Sequence, residues 1–270
     1  MSVFNYPSLY EYNFKFGVTM LGDPGFDFAW TQNLHAVIGA AISSKTVNAK
    51  FEDLLIANKK KIIYRPVISG LGGTKIEPGI PSPEKVLAQI NNLIMRGFPR
   101  KQIVPQISPL MPMAWLDALQ DTTNRNYIDT IKYLLVSFKS FGLTRVYHSF
   151  MSIDAISAAA LRKIDQRLSL NFNEFFFNSL KELALNVIDG SFQYETSDPR
   201  YYPYAKTNYT VSNDDLIALG VYDKYRFQRP MDQFTNLLQL INKPIGNCKG
   251  MCVLCPYGNK RRFDIFDEHQ

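Results

Sequence analysis

Cysteine is almost absent from this chain. Three occur in 270 residues, and all of them lie between Cys248 and Cys255. Random scatter would not place them in one such window. An odd number leaves one thiol over in any pairing scheme, so a structural disulfide is a poor alternative and a reducing compartment fits. Also lacking is any apolar run long enough to cross a bilayer. The opening Met-Ser-Val-Phe-Asn-Tyr has none of the charged region, apolar stretch and small-residue cleavage site of a signal peptide. These absences predict a cytoplasmic protein with no membrane partner. There is no internal repeat and no low-complexity segment. A serine–histidine–acid set is recognised by geometry and cannot be argued from the sequence.

What is present is ordinary globular material. Apolar residues make up 46% and charged residues 20%, enough for a full core in one large domain or two small ones. The net charge of +6 and a pI near 9.1 fit a polyanionic or phosphate-bearing partner, but the excess is modest and a plain solvated surface is its more common explanation.

The apolar pattern alternates between short β-branched runs and amphipathic stretches. Strands are predicted at 14–21, 36–43, 61–69, 102–108 and 144–150. Helices are predicted at 28–34, 51–60, 83–96, 127–141, 154–168 and 173–186. The clearest strand is Lys61-Ile-Ile-Tyr-Arg-Pro-Val-Ile-Ser69. The clearest helix has Ser82 at its N-cap, Pro83 at its first position and Gly97 past its end. This alternation predicts a parallel sheet with crossover helices: an α/β protein, a (β/α) barrel or partial TIM-like barrel, over residues 1–188. Beyond Asp189 the tyrosine-rich stretch 191–211, two short helices at 212–219 and 232–241, and the cysteine loop are expected to form a C-terminal extension, 189–270, closing over the barrel mouth.

Cys248, Cys252 and Cys255 have the spacing C-x3-C-x2-C, with Gly250 inside and Pro244, Gly246 and Pro256 around them. Three thiolates on a backbone able to turn sharply suit a metal or an iron–sulfur cluster. A cubane (4Fe-4S) cluster held by three cysteines leaves one iron open, the place where S-adenosylmethionine binds in radical enzymes. Zinc is the other reading; it needs a fourth ligand, for which His269, Asp264, Asp267 and Glu268 are at hand.

Other residues that can carry chemistry cluster after predicted strands. Gly70, Gly72, Gly73 and Thr74 form a loop whose amides can approach a cofactor, although it is neither a Walker loop nor a dinucleotide fingerprint. Arg65 lies inside an apolar strand and needs a partner, for which Glu77 is the candidate. His148 and Ser149 end the fifth strand. Arg65, Glu77 and His148 are therefore the expected catalytic set at the strand ends, where barrels place their active sites. Lys260-Arg261-Arg262 follows the cysteine loop and can meet a phosphate backbone. The tyrosines at 194–209, with Arg200 and Lys206, can stack bases or pack down on the domain.

Three stretches carry a family resemblance. They are Ile68-Ser-Gly-Leu-Gly-Gly-Thr-Lys-Ile-Glu-Pro-Gly-Ile-Pro81, Ile103-Val-Pro-Gln-Ile-Ser-Pro-Leu-Met-Pro112 and Arg145-Val-Tyr-His-Ser149, together with the closing Pro244-Ile-Gly-Asn-Cys248 loop. The chain resembles an uncharacterised family of bacterial (β/α)-barrel proteins that end in a cysteine loop. That loop is in turn similar to the one in spore photoproduct lyase and its radical S-adenosylmethionine relatives. The resemblance implies an iron–sulfur enzyme acting on a nucleotide or nucleic acid. A zinc-stabilised barrel that binds or modifies nucleic acid, and a non-catalytic interaction protein, remain as alternatives. This chain carries Gln106 and Ser108 where the family pattern has Arg and Asp, and its loop follows the barrel strands where radical enzymes carry theirs near the start.

Overall fold

A computed structural model describes residues 13–19, 22–74, 76–111, 127–150, 174–187, 192–196, 206–207, 211–229 and 235–241. The cysteine loop, the predicted helix 154–168 and most of the tyrosine-rich stretch lie outside them.

Among the described residues there are eight strands: β1 (Phe16–Val18), β2 (Ala40–Ser44), β3 (Ile62–Pro66), β4 (Gln106–Leu110), β5 (Arg145–Phe150), β6 (Gln193–Thr196), β7 (Lys206–Thr207) and β8 (Leu237–Gln239). All pair in parallel, in two runs ordered β3-β2-β1-β8 and β4-β5-β6-β7. The runs are joined where β3 passes β4. Val104 donates its N–H to Tyr64 O at 2.9 Å, and Ile68 N–H to Gln106 O at 2.8 Å, with parallel bridges Tyr64–Ile103 and Val67–Gln106. The strand order along this surface is therefore β8-β1-β2-β3-β4-β5-β6-β7.

Helices α1 (Ala29–Asn33), α2 (Ala49–Ala57), α3 (Pro83–Met95), α4 (Tyr127–Ser140) and α5 (Glu174–Val187) lie between strands; α6 (Asn213–Leu219) lies between β7 and β8. Side chains along a strand alternate between faces, and the core divides accordingly. Ile62 and Tyr64 join Ile42, Ile107 and Val146 in a cluster with Phe51 and Leu55 of α2, Ile90 and Leu93 of α3, and Leu134 and Phe138 of α4. Ile63 turns the other way. It shares a second cluster with Phe16, Val18, Ala41, Val104 and Tyr147, closed by Leu216 and Ala218 of α6. The first face carries the crossover helices; the second, here called the inner face, is covered by α6.

Within the described residues the five predicted strands, and the predicted helices up to residue 187, fall where the pattern placed them, with shorter strands. Residues 232–241 were expected as a helix, and Leu237–Gln239 instead form β8, paired with β1 from Phe16–Leu237 to Val18–Gln239. An open strand edge offers ladder hydrogen bonds that outweigh the weak helical preference of Leu-Leu-Gln. β6 pairs with β5, and β8 with β1, so residues beyond 189 complete the sheet rather than only capping it.

Candidate active site

The C-terminal ends of β2 and β3 converge on Glu77. The chain leaves β3 through Ser69 and returns in a loop held by its own backbone. Gly73 N–H donates to Glu77 O at 3.0 Å and Thr74 N–H to Leu71 O at 3.1 Å, and Leu71 N–H donates to Ser69 Oγ at 3.1 Å. Gly70 and Gly73 adopt φ of +81° and +78°, the region only glycine enters freely. Gly72 has no such φ, but a Cβ there would stand 2.0 Å from Pro81 O. The glycines are thus explained by the loop's own closure.

This closure delivers Glu77, fully buried, to two partners. Ser69 Oγ donates to one carboxylate oxygen, and Lys45 Nζ, one residue past β2, pairs with the other at 2.5 Å. Lys45 keeps 18% of its side chain exposed, so this edge of the pair reaches solvent. The end of β2 is fixed by Asp23 in the turn after β1. Its carboxylate accepts from Ser44 Oγ at 2.5 Å, from Lys45 N–H at 2.9 Å and from Gly25 N–H at 2.8 Å. On the next strands Ser108 Oγ and Ser149 Oγ lie 2.7 Å apart. Tyr127 O–H donates to Ser69 O at 2.9 Å, and burial pushes that hydroxyl well above its ordinary value. The arrangement presents a cation, a buried carboxylate and hydroxyls together at the C-terminal edge, where parallel sheets bind ligands.

Arg65 belongs to a different group, deeper on the inner face. Its Nη2 pairs with Asp215 of α6 at 2.8 Å. The same carboxylate meets Arg145 Nη2 at 3.0 Å, and Arg145 Nε meets Glu195 at 2.5 Å. Gln193 donates to Glu195 at 3.0 Å and to Asp214 at 3.2 Å, and Lys206 also donates to Asp214. Burial works against the Arg145 charge, but Asp215 and Glu195 raise its guanidinium well above the usual value. Burial likewise opposes ionisation of Asp214, and hydrogen bonds from Lys206 and Gln193 hold its carboxyl below the usual range.

The three expected catalytic residues therefore do not share a site. Arg145 points inward to Asp215; His148, three residues on, faces the helix side by strand alternation. There its ring stacks edge-on to Tyr194, with centroids 5.7 Å apart. Burial drives its pKa down to about 3, which leaves a neutral imidazole among packed side chains. The partner expected for Arg65 was Glu77; the ion pair found is with Asp215. Lys45, Asp23 and the Arg145–Asp215–Glu195 group escaped the sequence reading. Lys45 follows a strand end, the same signal that marked His148 and Ser149. Asp215 occupies the third helical position after Ser212 and closes a capping box, in a stretch predicted only as a short helix over 212–219.

Cys248, Cys252 and Cys255, and the tail with His269, lie outside the described residues. Among the described residues no group of three or more His, Cys, Asp or Glu side chains could hold a metal ion, and no helix is long and apolar enough to cross a membrane. No protein family matches the chain, and no curated protein or solved structure is significantly similar to it.

Proposed function

We propose that this chain is an iron–sulfur enzyme of the radical S-adenosylmethionine type, built on a (β/α) barrel and acting on a nucleotide or nucleic acid. The observation that carries it is the donor set. Every cysteine of the chain falls in C-x3-C-x2-C, three soft thiolates that fit a cubane cluster with one open iron. Such a cluster, when bound, supplies electrons and an open coordination position.

The strand order supports the barrel. Seven consecutive strands run side by side in chain order, and β8 returns to the free edge of β1. In an open sheet the chain between β7 and β8 would cross the whole width of the sheet. In a closed barrel it is a step between neighbours, which is how consecutive elements usually connect.

The chain's own residues at the C-terminal edge would bind and orient the substrate. Lys45, held beside Glu77 and partly exposed, offers a cation to a substrate phosphate or carboxylate. Glu77 fixes Lys45 and the Ser69 hydroxyl, and Asp23 fixes the backbone from which Lys45 extends.

Purification without oxygen, followed by metal analysis and a visible spectrum, tests the reading. A brown protein with about four irons per chain, lost in Cys252→Ala, is expected. A colourless protein with one zinc that depends on His269, or iron retained by Cys252→Ala, overturns it.

A further inference from the structure

The N-terminal edge of the sheet, opposite Glu77, carries a cluster of positive charge. Three segments meet there: 58–61 between α2 and β3, 96–105 between α3 and β4, and 139–144, the end of α4 and its connection to β5. They are tied into one surface. Lys59 Nζ donates to Gly97 O at 3.0 Å, and Gln102 Nε2 to Lys59 O at 2.7 Å and Ile62 O at 2.6 Å. Arg100 Nε donates to Phe141 O at 2.9 Å. These segments bring together Lys59, Lys60, Lys61, Arg96, Arg100, Lys101 and Lys139, and contain no Asp or Glu.

The chain has 30 Lys and Arg against 24 Asp and Glu. Seven of the 30 therefore lie along this one edge. Arg96 is offset by Asp53 at 2.6 Å and Glu52 at 3.7 Å. Lys61 is half-buried and donates to Leu34 O and Val37 O, each at 2.9 Å. Lys60 and Lys101 are exposed, and neither makes a hydrogen bond or ion pair among the described residues. Cations gathered without counter-charges repel one another, and nothing in the packing requires these two to be charged.

We infer that this edge docks the phosphate backbone of duplex nucleic acid. Neighbouring strands stand about 4.8 Å apart, so the starts of β3, β4 and β5 with their connections can meet several phosphates in a row. No exposed aromatic ring lies in these connections: Phe98 is 2% exposed and Phe141 is half-buried. The surface therefore offers charge without a stacking platform, which suits a duplex backbone better than an unpaired strand. The inference is independent of the cysteine loop.

Binding of a labelled 20-base-pair duplex, followed by fluorescence anisotropy across a salt series, tests it. The affinity should fall with salt on a log–log slope of about −4 to −6, roughly 0.9 per phosphate neutralised. The Lys60→Glu/Lys101→Glu double variant should keep the wild-type melting temperature. It should bind about tenfold or more weakly at low salt, with a slope shallower by about two. Unchanged affinity and slope in the double variant overturns the inference, as does an absence of duplex binding by the wild type at low salt. So does binding to anionic phospholipid vesicles without binding to the duplex. Iron content of the double variant reports on the cluster alone, so the two readings fail separately.

Discussion

Arg65 and Arg145, on β3 and β5, share one carboxylate: Asp215 accepts from the first at 2.8 Å and from the second at 3.0 Å. Asp215 comes from α6, so a single short helix supplies one carboxylate to two buried arginines, the second of which also pairs with Glu195 at 2.5 Å. It also receives the Ser212 N–H at 2.9 Å, which spends part of the same carboxylate on starting the helix. Helix start and inner-face ion pairing thus both draw on this one side chain.

Asp215→Ala should accordingly be among the most damaging substitutions in the described part of the molecule. It takes a carboxylate away from two buried guanidinium groups, of which Arg145 keeps Glu195 at 2.5 Å, and breaking a buried pair from one side costs about 3–5 kcal/mol. Asp215→Asn, which keeps the shape and one acceptor oxygen, should lose less. Urea unfolding of both variants measures this, and a loss under about 1 kcal/mol for the alanine variant would be incompatible with the network as a structural element.

His148 makes a prediction about pH. Burial lowers its pKa to about 3, whereas in the unfolded chain it titrates near 6.5. Below pH 6.5 the unfolded state takes up a proton that the folded state refuses, so stability falls as pH drops through that window, by about 1.4 kcal/mol per unit. Between about pH 6 and 5 carboxylates contribute little, because unfolded Asp and Glu titrate near 4. Below that, Asp214, whose carboxyl is also held low, adds loss of the same sign. Chemical unfolding of wild type and His148→Gln at pH 7, 6 and 5 should show the wild-type slope reduced by about one proton in the variant. Parallel curves would contradict a neutral buried imidazole.

Gly72 and Gly220 differ in what a methyl group would meet. At Gly72 a Cβ falls 2.0 Å from Pro81 O, a backbone atom, whereas at Gly220 it meets nothing within 4 Å. Gly220→Ala should therefore cost only the left-handed conformation of the α6 cap, about 1 kcal/mol. Gly72→Ala must move the loop that positions Glu77, and should cost about 1–3 kcal/mol or more. Thermal melts rank the two, and the reverse order would contradict the loop geometry.

The parallel α/β plan was legible because the helices and the first five strands carry clean periodicities. β6, β7 and β8 were not. They are four, two and three residues long, too short to show a period of two, and the pairing that makes them strands comes from β5 and β1. Glu77 was legible from its place after a strand, but its partner was not. Lys45 stands 32 residues away, joined to it only by the parallel register of β2 and β3. The inner or outer facing of His148 was likewise settled by register, which a lone strand cannot reveal.

Lys45 and Glu77 supply the most direct test of the site. The pair closes at 2.5 Å, with the carboxylate fully buried and the ammonium 18% exposed. If they act as a unit, the effects of Lys45→Ala and Glu77→Ala should not add. Each single variant leaves the other charge without this partner, while the double variant removes both. Partly buried pairs that depend on each other give coupling energies of about 0.5–3 kcal/mol. Lys45 still touches solvent, which screens its charge and favours the lower half of that range. Unfolding of the two single variants and the double variant measures the coupling. A value near zero would mean that the two side chains are held by their other neighbours, and that the site lacks the pair on which its proposed chemistry rests.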